Sequence, residues 1–331
     1  MLIGRFQPLH NAHLEIIKRC PALTDQLVII AGSAKQPRTY KNPFTFDERA
    51  SMIKAATAGL AMRVYVEPNI DTIYNDQAWA VRVQGIHSKY QCLGTKTAII
   101  GHKKDDSSFY LDMFPQWDFV NVEEIEPLSA VNIRDLYFKR SYNSNFIKNV
   151  VPETTYDFLQ EFRRTMEFEQ IVREREFVEN YKKQYASLPY PPIFSTADAV
   201  VIQSGHVLMI KRRAEPGKGL WALPGGYVNA NTDKSVEDAA IRELREETGI
   251  KVPAPVLRGN IKRSKVFDAI DRSPRGRIIT HAFHSELPDG ELPKVKGMDD
   301  AEKARWVPIA EVRSEECFED HYEILQHFLG A

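Results

Sequence analysis

The chain has 331 residues with 43% apolar content, enough for two hydrophobic cores, so we expect two domains. Its 44 basic and 45 acidic side chains nearly cancel, which argues against a nucleic-acid-binding protein. No apolar run is long enough to cross a membrane, and the sequence enters a strand directly without a leader, so we expect a cytoplasmic protein with no membrane partner. Three widely spaced cysteines fit reduced thiols and exclude a clustered zinc site.

A strand-turn-helix pattern opens the chain. Met1-Leu2-Ile3 is apolar, Gly4 and Pro8 are turn residues, and a helix is expected from about Asn11. A helix entered in this way directs unpaired N–H groups and the positive end of its dipole into the turn. The pattern therefore predicts an anion site at this turn.

Two histidines and an arginine lie at this anion site. His10 and His13 are three residues apart, so both imidazoles can face the same phosphates, and Arg5 adds a cation with bidentate reach. Such a set stabilises charge without a nucleophile, which suits nucleotidyl transfer from ATP. The His-x-x-His pattern alone would favour a simple polar cap.

The surrounding residues favour the catalytic interpretation. Gly4-Arg5-Phe6-Gln7-Pro8-x-His10-x-x-His13 resembles the signature of archaeal-type nicotinamide-nucleotide adenylyltransferases, within the nucleotidyltransferase superfamily. Ala12 stands where that family usually has glycine. Ser129 and Arg134 fit a second family element, a serine followed five residues later by arginine. The resemblance implies that Arg134 grips the triphosphate and that further nucleotide contacts come from Gly4, Arg5, Phe6, Gln7 and Ser129.

Two more segments of the first half are candidates for ligand contact. The segment from Asp71 to Trp79 resembles the family region that receives the nicotinamide end, with Trp79 as an aromatic platform. A core tryptophan is at least as good an interpretation. The loop from Gly101 to Ser108 follows an apolar run, so it lies at the carboxyl end of a strand, where open α/β sheets bind ligands.

The pattern of predicted helices and strands divides the chain into three segments. Alternating strands and helices predict a doubly wound parallel sheet, of the Rossmann-like nucleotidyltransferase type, over residues 1–165. Residues 166–192 are expected to form a helical connector and a proline-rich linker, the helical stretch running from Pro152 to about Tyr185. A third segment, residues 193–331, begins with a hairpin about Ser204-Gly205.

Three carboxylates share one face of a helix in the last segment. Glu243, Glu246 and Glu247 stand at i, i+3 and i+4. A hard cation such as Mg²⁺ or Mn²⁺ relieves their mutual repulsion, because such ions prefer oxygen ligands. Glutamate-rich exposed helices are common, so the cluster alone does not predict a metal site.

The flanks of that helix resemble the Nudix box. Pro224-Gly225-Gly226 precedes it, and the stretch from Arg242 to Ile250 reproduces the last elements of the box. The resemblance implies an α+β domain with a mixed sheet between helices, metal ligation by the three glutamates, and ligand contacts from Gly225 and Gly226. The front of the box departs from the family. Where the family has a glutamate, this chain has Thr232 if positions are counted from Gly226, or Lys234 if the helix is aligned, and Asp233 could take the role of that glutamate.

Two later segments bear on the ligand. The segment from Asp271 to Arg277 resembles one in Nudix proteins that handle ADP-ribose, both hydrolases and transcriptional sensors. It implies ligand contacts from Arg275 and Arg277. Glu302, in an acidic run, could supply a general base, although a solvated loop acid is the simpler interpretation.

The two resemblances together imply a bifunctional enzyme of NAD metabolism. The first domain would transfer AMP from ATP to nicotinamide mononucleotide, giving NAD and pyrophosphate, with His10, His13 and Arg134 as catalytic residues. The second would hydrolyse ADP-ribose to AMP and ribose 5-phosphate with Mg²⁺ or Mn²⁺. The expected partners are these small nucleotides, and a homo-oligomer is compatible with the sequence.

Two alternatives stay open at this point. The Nudix domain could be a non-hydrolytic module that senses ADP-ribose or NAD, because the front of its box is altered. The first domain could adenylylate another phosphate acceptor, such as flavin mononucleotide or phosphopantetheine, because the histidine motif is common to those enzymes.

Overall fold

A computed structural model describes residues 1–102, 106–123 and 129–330. The chain divides into two compact units, Met1–Arg173 and Glu174–Ala331. Within the described ranges, no helix combines the length and apolarity that a membrane crossing needs.

Strands and helices alternate in the first unit, as the sequence predicts. In chain order they are β1 (Leu2–Gly4), α1 (Asn11–Arg19), β2 (Gln26–Ala31), α2 (Phe46–Thr57), β3 (Arg63–Pro68), α3 (Asp76–Ser88), β4 (Ala98–Gly101) and β5 (Asp118–Asn121). Four helices follow, α4 (Ala130–Tyr137), α5 (Ser144–Val150), α6 (Glu153–Phe162) and α7 (Met166–Lys183). The helical stretch expected from Pro152 is therefore interrupted at residues 163–165.

Every strand pair in the described part of the first unit is parallel. β1, β2 and β3 pair in that order, and β4 pairs with β5. The Met1 ammonium donates to the Ala98 carbonyl at 2.6 Å, and the Ile100 N–H donates to the Met1 carbonyl at 2.8 Å. These two bonds join the strands in the order β5-β4-β1-β2-β3. The order reverses between β1 and β4, which is where doubly wound sheets bind ligands.

Alternate residues of β2 pack on opposite faces of this sheet. Leu27 and Ile29 belong to a core that includes Ile17 of α1 and Ile53 of α2. Ile30 belongs to a second core with residues of α3. Helices therefore cover both faces, and the doubly wound fold is confirmed.

The second unit contains a mixed sheet. Its elements after α7 are β6 (Ile193–Gln203), β7 (His206–Arg212), β8 (Trp221–Ala222), β9 (Gly225–Tyr227), α8 (Val236–Thr248), α9 (Ala254–Gly259), β10 (Ile261–Phe267), β11 (Arg277–Glu286), β12 (Ala301–Pro308) and α10 (His321–Leu329). The strand order is β10-β11-β6-β7-β12, in which only β11 and β6 are parallel. The short strands β8 and β9 pair with β7 and β6.

Helices α8 and α10 lie on opposite faces of this sheet. Ala239 and Ala240 of α8 pack with Phe283 of β11. The neighbouring His284 stacks on Phe328 of α10, with 5.3 Å between the ring centroids. The α+β arrangement with a mixed sheet between helices is confirmed, as is the hairpin of β6 and β7 about Ser204-Gly205.

Candidate active sites

The turn after β1 is built around the Phe6 ring. A Cβ on Gly4 would lie 3.0 Å from Cζ of Phe6, so a side chain at position 4 would displace the ring. Phe6 itself has a positive φ of 52°, an uncommon conformation for a residue with a side chain. Its ring lies 4.8 Å from the His13 ring, centroid to centroid. The turn is therefore shaped to support the histidine.

His10 and His13 come together at the start of α1. Their rings stack with centroids 3.6 Å apart, and the backbone N–H of His10 donates to Nδ1 of His13 at 3.4 Å. Burial lowers the pKa of His10 to about 4, and burial together with His10 holds the pKa of His13 well below its ordinary value. Both imidazoles are therefore neutral near pH 7, while Nδ1 of His10 is buried without a hydrogen-bond partner.

Arg134 reaches the same turn from α4. Its Nη1 donates to the Gln7 carbonyl at 2.7 Å, the residue is 3% exposed, and its Nε has no partner. Burial, and secondly repulsion from Arg5, lower the pKa of the guanidinium to about 10. With that pKa, the Arg134 guanidinium remains charged at neutral pH. Arg5 and Arg134 therefore form a cationic pair beside the histidines, where an anion would relieve their repulsion.

Two of the expected nucleotide contacts also have structural roles. The Gln7 side-chain amide makes two hydrogen bonds to the backbone of Phe44. Gln7 Nε2 donates to the Phe44 carbonyl at 2.9 Å, and Gln7 Oε1 accepts from the Phe44 N–H at 3.0 Å. Ser129 caps α4, because its Oγ accepts the Val131 N–H at 3.2 Å. Whether either also contacts nucleotide stays a prediction.

Arg49 supports the first site from α2. Its Nη1 donates to the carbonyls of Arg5 and Gly32, each at 2.6 Å, and its Nη2 donates to Ser33 at 3.2 Å. This buried side chain ties α2 to the turns after β1 and β2, so it positions Arg5. No local sequence pattern predicts this positioning role of Arg49, because the carbonyls that it binds lie far from it in the sequence.

Trp79 lies in α3 within an aromatic group. Its ring is 5.8 Å from Tyr110 and 6.0 Å from Phe114, centroid to centroid, and it is partly buried. Both interpretations of Trp79 therefore remain predictions. Within the loop from Gly101 to Ser108, residues 103–105 and the side chains of residues 106–108 lie outside the described part of the chain.

The second site forms where β9 meets α8. The Gly225 N–H donates to Oε2 of Glu247 at 2.9 Å. A Cβ on Gly226 would lie 2.5 Å from Oε1 of Glu243, and one on Gly225 would lie 2.3 Å from Oδ1 of Asp198. The two glycines are required because only bare backbone leaves room for these carboxylates.

Burial raises the pKa of two of the three glutamates. The pKa of Glu247 rises to about 8, mainly through desolvation, which its bond from Gly225 only partly offsets. Desolvation also raises the pKa of Glu243, against the effect of Arg242. Glu246 is more exposed, with 48% of its side-chain surface accessible. The helix therefore presents two desolvated carboxyls and one exposed carboxylate.

Arg242 connects the carboxylates of this site. It donates to Asp233 from Nε and Nη2, each at 2.8 Å, and from Nη1 to Glu243 at 2.8 Å and Glu246 at 2.9 Å. Arg242 in turn lowers the pKa of Asp233 below its ordinary value. Asp233, the suggested substitute for the missing glutamate, is thus held in an ion pair rather than free to bind a cation.

The donor set fits a divalent metal ion in its chemistry. Glu243 and Glu247 are oxygen donors whose burial and mutual repulsion a hard cation would offset. Among the described residues, however, no group of three acidic, histidine or cysteine side chains is already placed to hold a metal ion. Metal binding would therefore require the Arg242 contacts to Glu243 and Glu246 to rearrange.

The remaining candidate residues of this site are two arginines proposed to contact the ligand and one acidic residue proposed as a general base. Arg275 Nη2 lies 3.3 Å from Glu319, and Arg277 Nη1 donates to the Asp268 carbonyl at 2.5 Å. Glu302 is exposed on β12. From the same acidic run, Asp299 is the residue whose charge acts on Glu243.

The raised pKa of Glu247 predicts a pH effect on stability. Between its ordinary value of 4.5 and about 8, the unfolded carboxyl loses its proton while the folded one retains it. The free energy of unfolding of chelator-treated protein should therefore fall as pH rises through this range. Glu247→Gln should flatten this fall, whereas Glu246→Gln, at an exposed position, should leave it unchanged. Thermal unfolding between pH 5 and 8 checks this, and identical profiles for all three proteins would contradict it.

The geometry defines a class: a nucleotidyltransferase-like unit joined to a unit with a Nudix helix. Residues 1–198 match the cytidylyltransferase-like family, and residues 193–328 match the NUDIX domain. The first half is 36% identical, over 172 residues, to the nicotinamide/nicotinic acid mononucleotide adenylyltransferase of Acinetobacter baylyi, covering 52% of this chain and 89% of that protein.

Similarity extends to the second half and to the whole chain. The ADP-ribose pyrophosphatase of Methanocaldococcus jannaschii is 32% identical over 147 residues, which cover 44% of this chain and 78% of that one. A crystal structure of a bifunctional NMN adenylyltransferase/ADP ribose pyrophosphatase from Francisella tularensis, complexed with AMP and a manganese ion, superposes with a TM-score of 0.91. It is 33% identical and the match covers 99% of this chain and 97% of that one. The chain belongs to this family of fused adenylyltransferases and Nudix pyrophosphatases.

Proposed function

We propose that the protein makes NAD in its first unit and hydrolyses ADP-ribose in its second. The observation that carries the first activity is the pair His10 and His13, stacked at the start of α1 beside Arg5 and Arg134. The relatives named above carry these two activities in their names. Those names favour nicotinamide mononucleotide over a flavin or pantetheine acceptor.

The first reaction needs charge stabilisation rather than a protein nucleophile. A phosphate oxygen of nicotinamide mononucleotide attacks the α-phosphorus of ATP, the bond to the bridging oxygen breaks, and pyrophosphate leaves. Arg134 and Arg5 bind the triphosphate and offset the charge that develops on the leaving group. The neutral imidazoles of His10 and His13 donate hydrogen bonds to phosphate oxygens at the amino end of α1. Arg49 holds the Arg5 turn in place.

The second reaction takes place at Glu243, Glu246 and Glu247. These residues would hold Mg²⁺ or Mn²⁺, which supplies Lewis-acid polarisation of the pyrophosphate and an acidified water. The Gly225 N–H fixes the orientation of the Glu247 carboxylate. Arg275 and Arg277 are proposed to contact the ligand.

A second candidate function has its own support. Arg242 donates hydrogen bonds to Glu243, Glu246 and Asp233 at the same time. Among the described residues, no three ligating side chains are already placed to hold a metal ion. A unit of this kind could bind ADP-ribose without hydrolysing it and act as a sensing module. Incubation with ADP-ribose and increasing Mg²⁺ or Mn²⁺, followed by chromatography of AMP, separates the two: no AMP at any metal concentration would favour the sensing module.

Several properties remain proposals. We propose an adenylyltransferase domain over residues 1–165, a connector over residues 166–192 and a Nudix domain over residues 193–331. A cytoplasmic location, the absence of nucleic acid among the partners and a homo-oligomeric state also stay predictions.

We predict that Trp79→Ala raises the KM for nicotinamide mononucleotide far more than the KM for ATP, because the indole would stack on the nicotinamide. Steady-state kinetics with each substrate varied in turn measures both constants. Equal changes in the two, accompanied by a lower unfolding temperature, would make Trp79 a core residue of the group with Tyr110 and Phe114.

A further inference from the structure

A polar pocket lies at the amino ends of β4 and β5 in the first unit. It is lined by the end of α3 and by the segments that lead into these two strands, and its volume is about 610 Å³. Met1 pairs with Ala98 at this end of the sheet, whereas Gly4, at the other end of β1, leads into the turn of His10. Doubly wound sheets bind their substrates at the carboxyl ends of the strands, so the pocket is separate from the nucleotide site.

Aromatic rings form one wall of the pocket. Trp117 stacks on Phe114 with 4.7 Å between the ring centroids, and Phe114 belongs to the core beside α3. His87 lies against Trp117, again with centroids 4.7 Å apart, and a hydrogen bond of 2.7 Å joins its Nε2 to Oγ1 of Thr97. Burial lowers the pKa of His87 below its ordinary value, so the imidazole is neutral near pH 7. The indole, the imidazole and the threonine hydroxyl are therefore held in place before a ligand binds.

Neutral hydrogen-bonding groups make up most of the remaining lining. Gln84, Gln91 and Gln116 contribute carboxamides, each of which can both donate and accept hydrogen bonds. Among the described residues that line the pocket, the formal charges are those of Lys96 and Asp118, which cancel. The pocket therefore combines many neutral donors and acceptors with no net charge.

This lining fits an uncharged, hydroxylated ligand. A phosphate would find one ammonium, that of Lys96, whose charge Asp118 offsets. A purely apolar ligand would leave the carboxamides and hydroxyls without the hydrogen bonds that water gives them. Sugar hydroxyls donate and accept as the carboxamides do, and the Trp117 indole supplies a flat apolar surface. The volume lies within the range of roughly 300–1,000 Å³ that is typical of small-molecule sites.

We propose that this pocket is a second ligand site of the first unit, and that it binds the hydroxyls of an uncharged ribosyl compound with Gln84 and Thr97 among the contacts. A ribonucleoside and a free pentose share this chemistry. The base of a nucleoside would lie against Trp117, whereas a pentose would use only the hydrogen-bonding groups. Because the wall of Trp117, His87 and Thr97 is fixed in advance, little side-chain freedom is lost on binding.

Equilibrium dialysis of the full-length protein against labelled adenosine, uridine and D-ribose tests the site. Excess unlabelled NAD and AMP are present, so that the two nucleotide sites proposed above are filled. We expect stoichiometric retention of at least one of the three probes under these conditions. Retention of a nucleoside without D-ribose assigns the pocket to nucleosides, and equal retention of D-ribose assigns it to the free sugar. If none of the three is retained, the inference is overturned.

Two variants locate the binding. Gln84→Ala removes a carboxamide at an exposed position of α3, and Thr97→Val removes a hydroxyl while nearly keeping the shape of the side chain. Each should weaken binding of the retained probe by about tenfold, the size expected for one lost hydrogen bond. NAD synthesis should stay close to wild type, because the pocket lies at the other edge of the sheet. Gln170→Ala, at an exposed position of α7, is the matched control and should change neither property.

The variants can also contradict the inference. Binding that survives both Gln84→Ala and Thr97→Val would place the probe elsewhere. Loss of NAD synthesis in either folded variant would assign these residues to the nucleotide site instead. If Thr97→Val fails to fold, Gln84→Ala decides the matter alone, because its exposed side chain is not needed for the core.

Discussion

His13→Ala should reduce NAD synthesis by about two orders of magnitude or more, because it removes a preorganised hydrogen-bond donor at the place where charge develops. ADP-ribose hydrolysis should continue at the wild-type rate, since His13 belongs to the first unit. Chromatographic assay of NAD formed from ATP and nicotinamide mononucleotide, with ADP-ribose hydrolysis assayed in parallel, gives both results.

The structure sharpens this prediction. Burial keeps the His13 imidazole neutral near pH 7, so we expect it to contribute as a hydrogen-bond donor and not as a fixed cation. His13→Gln retains a neutral donor and should keep more activity than His13→Ala. NAD synthesis by His13→Ala at a near wild-type rate would show that the histidine is only a helix cap stacked on His10.

Glu247→Gln should abolish most ADP-ribose hydrolysis while NAD synthesis persists. The amide oxygen can still accept the Gly225 N–H, so the fold of the site should survive the substitution. The lost charge removes a metal ligand, and we expect the rate to fall by about a hundredfold or more. Excess Mn²⁺ should restore part of the activity, because Mn²⁺ generally binds a given nitrogen and oxygen site more tightly than Mg²⁺ does.

The decisive measurement is AMP release as a function of metal concentration for wild type and variant. Glu302→Gln, in an exposed part of β12, serves as a carboxylate-to-amide comparison and also tests the general-base interpretation. Hydrolysis that survives Glu247→Gln at low metal concentration would remove Glu247 from the metal site. A wild type that binds ADP-ribose but never releases AMP would replace the hydrolase by the sensing module.

Local sequence patterns predicted the elements that carry both sites. The helix expected near Asn11 begins at that residue. A capping box starts α2, where the Glu48 N–H donates to Oγ1 of Thr45, three residues earlier, at 3.3 Å. Such features depend on residues three or four positions apart, so a short window of sequence contains all the partners.

The break between α6 and α7 was not predicted. Phe162 and Met166 flank these residues at the helical spacing of four, so the apolar periodicity gives no sign of an end. Arg163 Nη1 donates to the Tyr137 carbonyl at 2.8 Å, a contact with another helix. A partner 26 residues away in the chain lies outside any local pattern.

The sequence by itself determined the chemistry of the two sites, because the His10 and His13 pair and the glutamates of α8 are each contained in one turn of a helix. Only the tertiary structure decided how these groups are held. Arg49 joins three backbone segments, Arg242 ties Asp233 to Glu243 and Glu246, and Tyr181 reaches Tyr227 across 46 residues of chain. These contacts pair residues distant in sequence, and burial then sets the charge states of His13 and Glu247, which no local spacing encodes.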